Sequence, residues 1–426
     1  MPDVNPLLSP LVSIVIPVCN KWELTRACLE SLRQHTPGSD FEVIVADNGS
    51  ADATRDECQP LGSALFPGRF RRLRFAQNLN FGPACNAGAR AASGGLLLLL
   101  NNDTLLSPGW LPPLLAALGS DPRMGAVGPL LVYPEEPGLG VRVQHLGIVA
   151  EPQLYPQHLY EFFPAGHPLV RKKRAVQALT AAALLLPRAL FLDCGGFCEE
   201  YRNGGEDVDL GLQITRRGLQ QACVPESVVT HLTSQTPGRN DFEAHNALVL
   251  KRRCLKDFVP DLHFHAARDG YEVRLTAFLK PYLVLPERRA EVLQRRLAAG
   301  FDPDLCGEML SREPLWFAGY ALLAAHCEGR GDMAGACALR FLEAKFRPTV
   351  EVFRELLRLA KLSGNTKYAD FAEKRLHWML EVACPEVLLG AAREVAQYMA
   401  LLEQPDMAAL YRAWLAGPGA EASPRS

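Results

Sequence analysis

The sequence predicts an α/β domain on a largely parallel sheet, followed by an all-α domain. Three observations carry this. In the first hundred residues, short apolar runs rich in β-branched residues or leucine alternate with segments of helical periodicity. Three of the apolar runs lead straight into polar clusters, at Cys19-Asn20, Asp47-Asn48 and Asn101-Asn102-Asp103. Beyond Arg268 the β-branched runs give way to helical patterns rich in Ala, Leu, Glu and Arg.

Leu11 to Pro17 (LVSIVIP) reads as a strand buried on both faces. Trp22 to Gln34 has helical spacing, with Leu24, Cys28, Leu29 and Leu32 on one side. Phe41 to Ala46 (FEVIVA) is a second strand, Arg72 to Ala76 a third, Ala84 to Ala92 a helix of small residues, and Gly95 to Leu100 a fourth, very apolar strand. Gly125 to Tyr133 and Ala175 to Leu186 read as further strands. The Pro- and His-containing stretch Pro134 to Pro168 between them is long enough to be functional or an insertion. A short helix begins at Ala189 to Leu192, and Glu206 to Arg217 is a helix closed by Gly218. In such sheets ligands gather at the carboxyl ends of strands.

In the C-terminal region, ALLAAHCEGRGDMAGACALRFLEAKFRP and RELLRLAKLSGNTKYADFAEKRLHWMLEVACP each read helix, glycine turn, helix, proline. Gly331 and Gly364 lie 33 residues apart, near the period of TPR-like repeats. A looser third unit surrounds Gln404-Pro405-Asp406. The expected division is an extension at 1–10, the α/β domain at 11–267, a helical, TPR-like domain at 268–416 and a disordered tail at 417–426.

A chain of 426 residues exceeds one ordinary core, and its 48% hydrophobic and 22% charged content is globular. A formal charge of −2 gives no basic footprint for nucleic acid. Twelve cysteines show no C-x-x-C pair, and Cys194 and Cys198 lack a second pair for zinc. They read as reduced, mostly buried thiols of a cytosolic protein. Met1 to Pro10 lacks the basic and apolar regions of a signal peptide, and the run Leu96 to Leu100 is far short of the roughly 20 residues of a membrane helix. The expected location is cytoplasmic, at the inner face of the membrane if the acceptor is lipid-linked.

Asp103 ends the most apolar strand, where a carboxylate can hold Mg²⁺ or Mn²⁺ against phosphates; a plain strand-end turn explains it equally well. Asp47 can accept from a base or ribose, while Asn48-Gly49 makes the turn and Asp52 caps the next helix. Glu206 and Asp207 open a helix behind Asn-Gly-Gly, which suits either the helix dipole or a general base. Asp209 reads as structural. His231 follows an apolar stretch and by itself is an ordinary packed histidine, as are His145, His158, His167, His245, His263 and His265. Arg171 to Arg174 reads as a solvated loop with some reach toward an anionic acceptor.

Taken in order, SIVIPVCN, EVIVADNGSAD, NLNFGPACNAGAR, LLLLLNNDT with SPGWL, AVGPLLVYP, GGFCEEYRNGGEDVDLGLQITRRG and VPESVVTHLTSQTPGR resemble the family 2 glycosyltransferases of GT-A fold over about Leu11 to Phe264. Within that family the chain is most similar to a rhamnosyltransferase-like bacterial branch. The resemblance implies that Pro17, Asn20, Asp47, Asn48, Asn80 and Gly82 line a nucleotide pocket. It implies that Asn101, Asn102 and Asp103 form a D-x-D-like diphosphate and metal motif completed by His231, and that Asp207 beside Glu206 is the base. It also implies an inverting, single-displacement transfer that uses a divalent cation (Mn or Mg) and a UDP- or dTDP-sugar donor. The acceptor stays open between a glycan, a lipid-linked and a protein molecule: a lipid-linked one would bring peripheral membrane association, and repeats of this kind bind peptides in a concave face, which makes the C-terminal helices the expected dock for a protein partner. Two positions depart from the family pattern: Cys19 stands where an aromatic is usual, and the metal motif begins with asparagines. A degenerate, non-catalytic sugar-nucleotide binder or helical interaction protein is the alternative. A nucleotidyltransferase is disfavoured because Pro17-Val18-Cys19-Asn20 is no glycine-rich phosphate loop.

Overall fold

The computed structural model describes residues 12–38, 40–232, 239–297 and 300–417. The expected extension at 1–10 and residues 418–426 of the expected tail lie outside them. The chain opens with β1 (Val12–Val18), α1 (Trp22–His35), β2 (Phe41–Asp47), α2 (Thr54–Leu65), β3 (Phe70–Arg74), α3 (Phe81–Ala91) and β4 (Leu96–Leu100). Next come β5 (Thr104–Leu106), α4 (Leu111–Ser120), β6 (Met124–Val132) and three short strands, β7 (Val143–His145), β8 (Ile148–Ala150) and β9 (Pro156–His158). β10 (Ala183–Pro187), α5 (Arg188–Asp193), α6 (Glu206–Arg216), β11 (Gln220–His231), α7 (Glu243–Cys254) and α8 (Leu262–Arg268) follow.

The main sheet runs β3-β2-β1-β4-β10-β6-β11-β5, with β7 on β6. β3, β2, β1, β4, β6 and β11 share one direction, while β10, β5 and β7 run against it. This is the mixed, mostly parallel α/β sheet expected. Every residue of β1 and β2 is buried because both faces are covered. Ile14 and Ile16 join Trp22 and Leu29 of α1 on one face, and Val15 packs with Ala89 of α3 on the other. A Cβ at Gly88 would sit 2.3 Å from Val15 Cγ1, so α3 lies on β1 at a distance only glycine permits.

Three expectations need correction. Of Ala175 to Leu186, only the last residues form a strand, since Ala175 and Ala178 make isolated bridges to Ala222 and Ile148 and the chain then turns through Thr180-Ala181-Ala182. Arg171 to Arg174 is a solvated loop only in part: Arg171, Lys172 and Lys173 are exposed, but the run is pinned at its end. Arg174 is buried and donates to Asp269 Oδ2 (2.8 Å) and the Leu169 carbonyl (2.8 Å), Lys172 reaches Asp269 Oδ1 (2.7 Å), and Arg171 reaches the Pro225 carbonyl (3.2 Å). One distant carboxylate, invisible in local charge patterning, converts the basic run into a staple. All twelve cysteines are free and most are buried, as expected.

A hairpin of β12 (Glu272–Leu275) and β13 (Pro281–Val284) precedes the helices, so the helical texture expected from 268 starts at 287. Strands of four residues are too short to show a period. Then come α9 (Glu287–Arg296), α10 (Pro303–Arg312), α11 (Phe317–Gly329), α12 (Met333–Phe346), α13 (Val350–Ser363), α14 (Thr366–His377), α15 (Pro385–Leu401) and α16 (Pro405–Ala416). α11 to α14 pack in succession as two helix–turn–helix units. The turn glycines Gly331 (φ +80°) and Gly364 (φ +71°) are left-handed, and Asp332 and Asn365 cap the helices that follow. α15 and α16 build a separate core with Leu279 of the hairpin, where Trp414 Nε1 donates to the Thr276 carbonyl (2.8 Å).

The sheet and the first repeats share one continuous core, from Val15, Leu99 and Leu186 to Trp316, Phe341 and Leu376. Lys345 Nζ seals the joint from 4.2 to 5.2 Å above the rings of Phe371, Phe162 and Phe341. Beside it, Glu136 accepts from Lys367 Nζ and Tyr368 Oη, each at 2.7 Å.

Candidate active site

β2, β1 and β4 are neighbours, so their three polar C-terminal clusters come together at one sheet edge. Pro17 is buried inside β1, in register with Ala46. The Asn20 amide hydrogen donates to Ser50 Oγ (2.9 Å), and its Oδ1 accepts from Ala51 N (2.8 Å) and Asp52 N (3.3 Å). Asp47 is fully buried. Its Oδ1 takes the Ser50 amide (2.9 Å) and its Oδ2 takes Arg72, Nε at 3.0 Å. Asn48 donates to Asn78 Oδ1 (2.8 Å) and the Asn80 carbonyl (3.0 Å) and accepts from Leu79 N (2.7 Å). These side chains hold the β1 and β2 loops together, and the Asp47 oxygens are already spent on protein donors. Asn80 has φ +73° at the start of α3, and Gly82 lies where a Cβ would come 3.3 Å from Phe197 Cβ. Phe81 packs on Phe197, with ring centroids 5.8 Å apart, while Cys19 is exposed at the rim.

The antiparallel pairing of β11 with β5 sets His231 opposite Thr104 and therefore beside Asp103. His231 Nε2 lies 3.0 Å from Asp103 Oδ1, and both residues are buried. Asn101 faces the same ring (Nδ2 to Nε2, 3.5 Å), and its Oδ1 is a buried atom without a partner. Asn102 turns away and donates to Thr25 Oγ1 of α1 (2.9 Å). The first asparagine of the motif thus faces the site and the second braces a helix.

At the head of α6 three acids have three fates. Glu206 is buried and its Oε2 accepts from Gly204 N (2.7 Å), so it shapes the glycine turn. Asp209 is buried on Arg253 and Gln213 Nε2 (3.0 Å), the structural role expected of it. Asp207 alone is partly exposed, with Oδ1 on Val208 N (2.9 Å) and Oδ2 toward Ala181 N (3.4 Å). Ala182 in turn accepts from Asn101 N (2.9 Å), so the irregular 180–182 segment ties Asp207 to the Asp103 cluster. Asn203 Oδ1 accepts from Phe81 N (3.0 Å), linking the glycine turn to the Asn80 loop.

The donor set suits a hard divalent cation. Two cis ligands at about 2.1 Å from an octahedral ion lie about 3 Å apart, which matches the 3.0 Å between Asp103 Oδ1 and His231 Nε2. The orphaned Asn101 Oδ1 is a further oxygen beside them. Among the described residues no group of three His, Cys, Asp or Glu side chains gathers, so phosphate oxygens and water would supply the other positions.

Sequence reasoning missed Gln144, Asn78, Asn203 and the 180–181 backbone. Gln144 and the 180–181 backbone lie in no run of chemically distinctive residues, while Asn78 and Asn203 lie in the NLNF and Asn-Gly-Gly runs without standing out from their neighbours. It also took each histidine singly, whereas the buried His145 and the half-buried His158 form an edge-to-face pair 4.8 Å apart. Burial and the neighbouring His158 and His231 hold the His145 pKa well below the usual imidazole range.

Residues 13–177 match the model of Glycosyl transferase family 2. The O-antigen biosynthesis protein RfbC of Myxococcus xanthus is 33% identical over 230 residues, covering 52% of this chain and 17% of that protein. Validoxylamine A glucosyltransferase of Streptomyces hygroscopicus subsp. limoneus is 32% identical over 235 residues, 51% of each chain. N-acetylglucosaminyl-diphospho-decaprenol L-rhamnosyltransferase of Mycobacterium tuberculosis (strain ATCC 25618 / H37Rv) is 29% identical over 215 residues, 46% of this chain and 68% of that one. The chain spans only about a sixth and about half of the length of the first two. Among solved structures, GalNAc-T7 with UDP, GalNAc and Mn2+ aligns with a TM-score of 0.46 and 18% identity over 62% of this chain and 51% of that one.

Proposed function

We propose that the chain, whose residues 13–177 match the model of Glycosyl transferase family 2, is an inverting glycosyltransferase moving a sugar from a UDP- or dTDP-linked donor onto an acceptor hydroxyl. One observation carries the reading: Asp207, the partly exposed acid of α6, is joined through Ala181 and Ala182 to the Asn101–Asp103 cluster. A base and a diphosphate anchor would thereby be held together at the strand ends. Asp207 takes the proton of the acceptor hydroxyl, whose oxygen attacks the anomeric carbon as the bond to the diphosphate breaks. The configuration at that carbon inverts. Asp103 and His231, with Asn101 beside them, would hold a Mn²⁺ or Mg²⁺ ion that neutralises the diphosphate as it leaves. The Asn20–Asp47–Asn48 lattice keeps the β1 and β2 loops rigid under the nucleotide, so Asp47 serves as a strut of the pocket wall.

The lipid-linked acceptor in the mycobacterial relative's name and the O-antigen role in the Myxococcus name favour a glycan or lipid-linked acceptor. The helical repeats, which share the sheet's core, are the surface on which a protein acceptor or partner would dock. No described helix is long and apolar enough to cross a membrane; a lipid-linked acceptor would bring the enzyme peripherally to the cytoplasmic membrane face.

Asp207→Asn tests the reading. Turnover is expected to fall about 10²- to 10⁴-fold, while the rise in melting temperature produced by UDP or dTDP with Mn²⁺ stays as in the wild type. Unchanged turnover would remove Asp207 as the base.

A further inference from the structure

Gln144 contacts His231 twice. Its Nε2 donates to the His231 carbonyl (3.1 Å), and its Oε1 lies 2.6 Å from His231 Nδ1. The first contact fixes which way the amide points, because a flipped amide would set its oxygen against that carbonyl. With Oε1 facing the ring, Nδ1 must carry a proton, since two acceptors do not approach to 2.6 Å without one between them. In the neutral ring the lone pair is then on Nε2, the atom 3.0 Å from Asp103 Oδ1 and 3.5 Å from the Asn101 amide nitrogen. Two bare acceptors do not face each other at 3.0 Å, so either a second ring proton or a metal cation stands between them, and a bound cation takes the place of that proton.

The fold makes this contact rigid. β6 pairs with β11 as far as Val132 opposite Thr230, and His231 lies one residue beyond that ladder. β7, on the other edge of β6, places Gln144 where its side chain closes onto His231, which β6 leaves unpaired on that side. Gln144 is itself buried, and its carbonyl oxygen is held by His158 Nδ1 at 2.8 Å. Its backbone and its amide are therefore both committed before any ligand arrives.

We propose that Gln144 is a positioning residue that holds His231 with its proton on Nδ1, so that Nε2 and Asp103 converge as a preformed pair of cation ligands. The proposal rests on the reading of Asp103 and His231 as the cation site. Buried partners that set the orientation of a ligating histidine affect metal affinity by about 10- to 100-fold when removed.

The test is calorimetric titration of Mn²⁺, with and without UDP, into the wild type, Gln144→Leu and Gln144→Glu, with the melting temperature of each recorded. Gln144→Leu is expected to weaken Mn²⁺ binding by about 10- to 100-fold. Gln144→Glu keeps an acceptor opposite Nδ1–H and loses the donor to the His231 carbonyl, so it should recover most of that affinity. A merely structural role predicts the reverse for Glu, a loss like that of Leu; that result, or Leu with wild-type affinity, overturns the proposal. Nitrogen-15 NMR of the histidine rings in the wild type, metal-free and with Mg²⁺, gives a readout that needs no variant to fold. A proton on His231 Nδ1 in both states supports the proposal, and a bare Nδ1 sinks it. If the wild type takes up no Mn²⁺, the cation reading of Asp103 and His231 falls, and the NMR measurement still decides what Gln144 does to the ring.

Discussion

Asn86 illustrates how a single polar side chain inside the molecule can hold a functional loop. Its Oδ1 accepts from Phe197 N (2.8 Å) and its Nδ2 donates to the Phe197 carbonyl (2.9 Å), so one side chain substitutes for a strand neighbour. Phe197 leads into the segment that ends at Gly205, where φ is +93° and a Cβ would meet Tyr201 at 2.9 Å. Removing the amide would leave two buried backbone groups unpaired. Asn86→Ala is expected to cost about 2–4 kcal/mol, read as a lower urea midpoint with unchanged slope. The acids of α6 follow the same logic of surroundings. Glu206, Asp207 and Asp209 are acids crowded into one helical turn, and burial with partners takes up Glu206 and Asp209 while Asp207 stays partly exposed.

Among the elements, the repeat turns are points where the backbone conformation alone selects glycine. Gly364 closes α13 in the left-handed region, with its amide bonded to the Lys361 carbonyl and Asn365 capping α14 directly after it. Adding a Cβ there meets no neighbouring atom, so any penalty comes from the backbone alone. Gly364→Ala is expected to destabilise by about 1 kcal/mol, measurable as a drop in melting temperature. An unchanged melting temperature would mean that the turn relaxes out of the left-handed region. The hairpin of β12 and β13 has a different function: its loop completes the core of α15 and α16 and so anchors the last helix pair.

For the whole molecule, acid stability depends on carboxylates that join distant segments. Glu42 binds Ser13, Ser93 and Arg71, Glu136 binds Lys367 and Tyr368, and Asp269 binds Lys172, Tyr160 and Arg174. Burial pushes each pKa up, yet the hydrogen bonds and cations outweigh it and leave all three below their ordinary values of 4.5 for the glutamates and 3.8 for the aspartate. A folded pKa below the unfolded one adds stability that is complete above the unfolded value and is lost as pH falls through the folded value. The urea midpoint is therefore expected to stay level with respect to these groups from pH 7 to about 5.5 and to decline steadily toward pH 3. A midpoint that rises on acidification would contradict the assigned shifts.

Much of this was legible in the linear chain. β1, α1, β2 and β4 lie within a residue or so of the positions that apolar runs and helical spacing mark out, and the repeat turns fall at the glycines that announce them. Propensity and periodicity are local properties, and these elements are long or apolar enough to express them. The four-residue strands of the hairpin and the bridges around Ala178 are not, which is why they were misread or missed.

The strand-end acids were visible by themselves, as were the polar clusters that close β1, β2 and β4. Only the tertiary structure decided which of them work together. Asp103 and His231 are 128 residues apart and meet because β5 pairs with β11, while Gln144 reaches His231 from the far edge of β6. Asn102 and Asp47 spend their side chains on protein partners that no local pattern announces. Sequence determined the elements and the chemistry at their ends because those depend on near neighbours. The partner of each side chain depends on strand order and burial, and these exist only after the chain has folded.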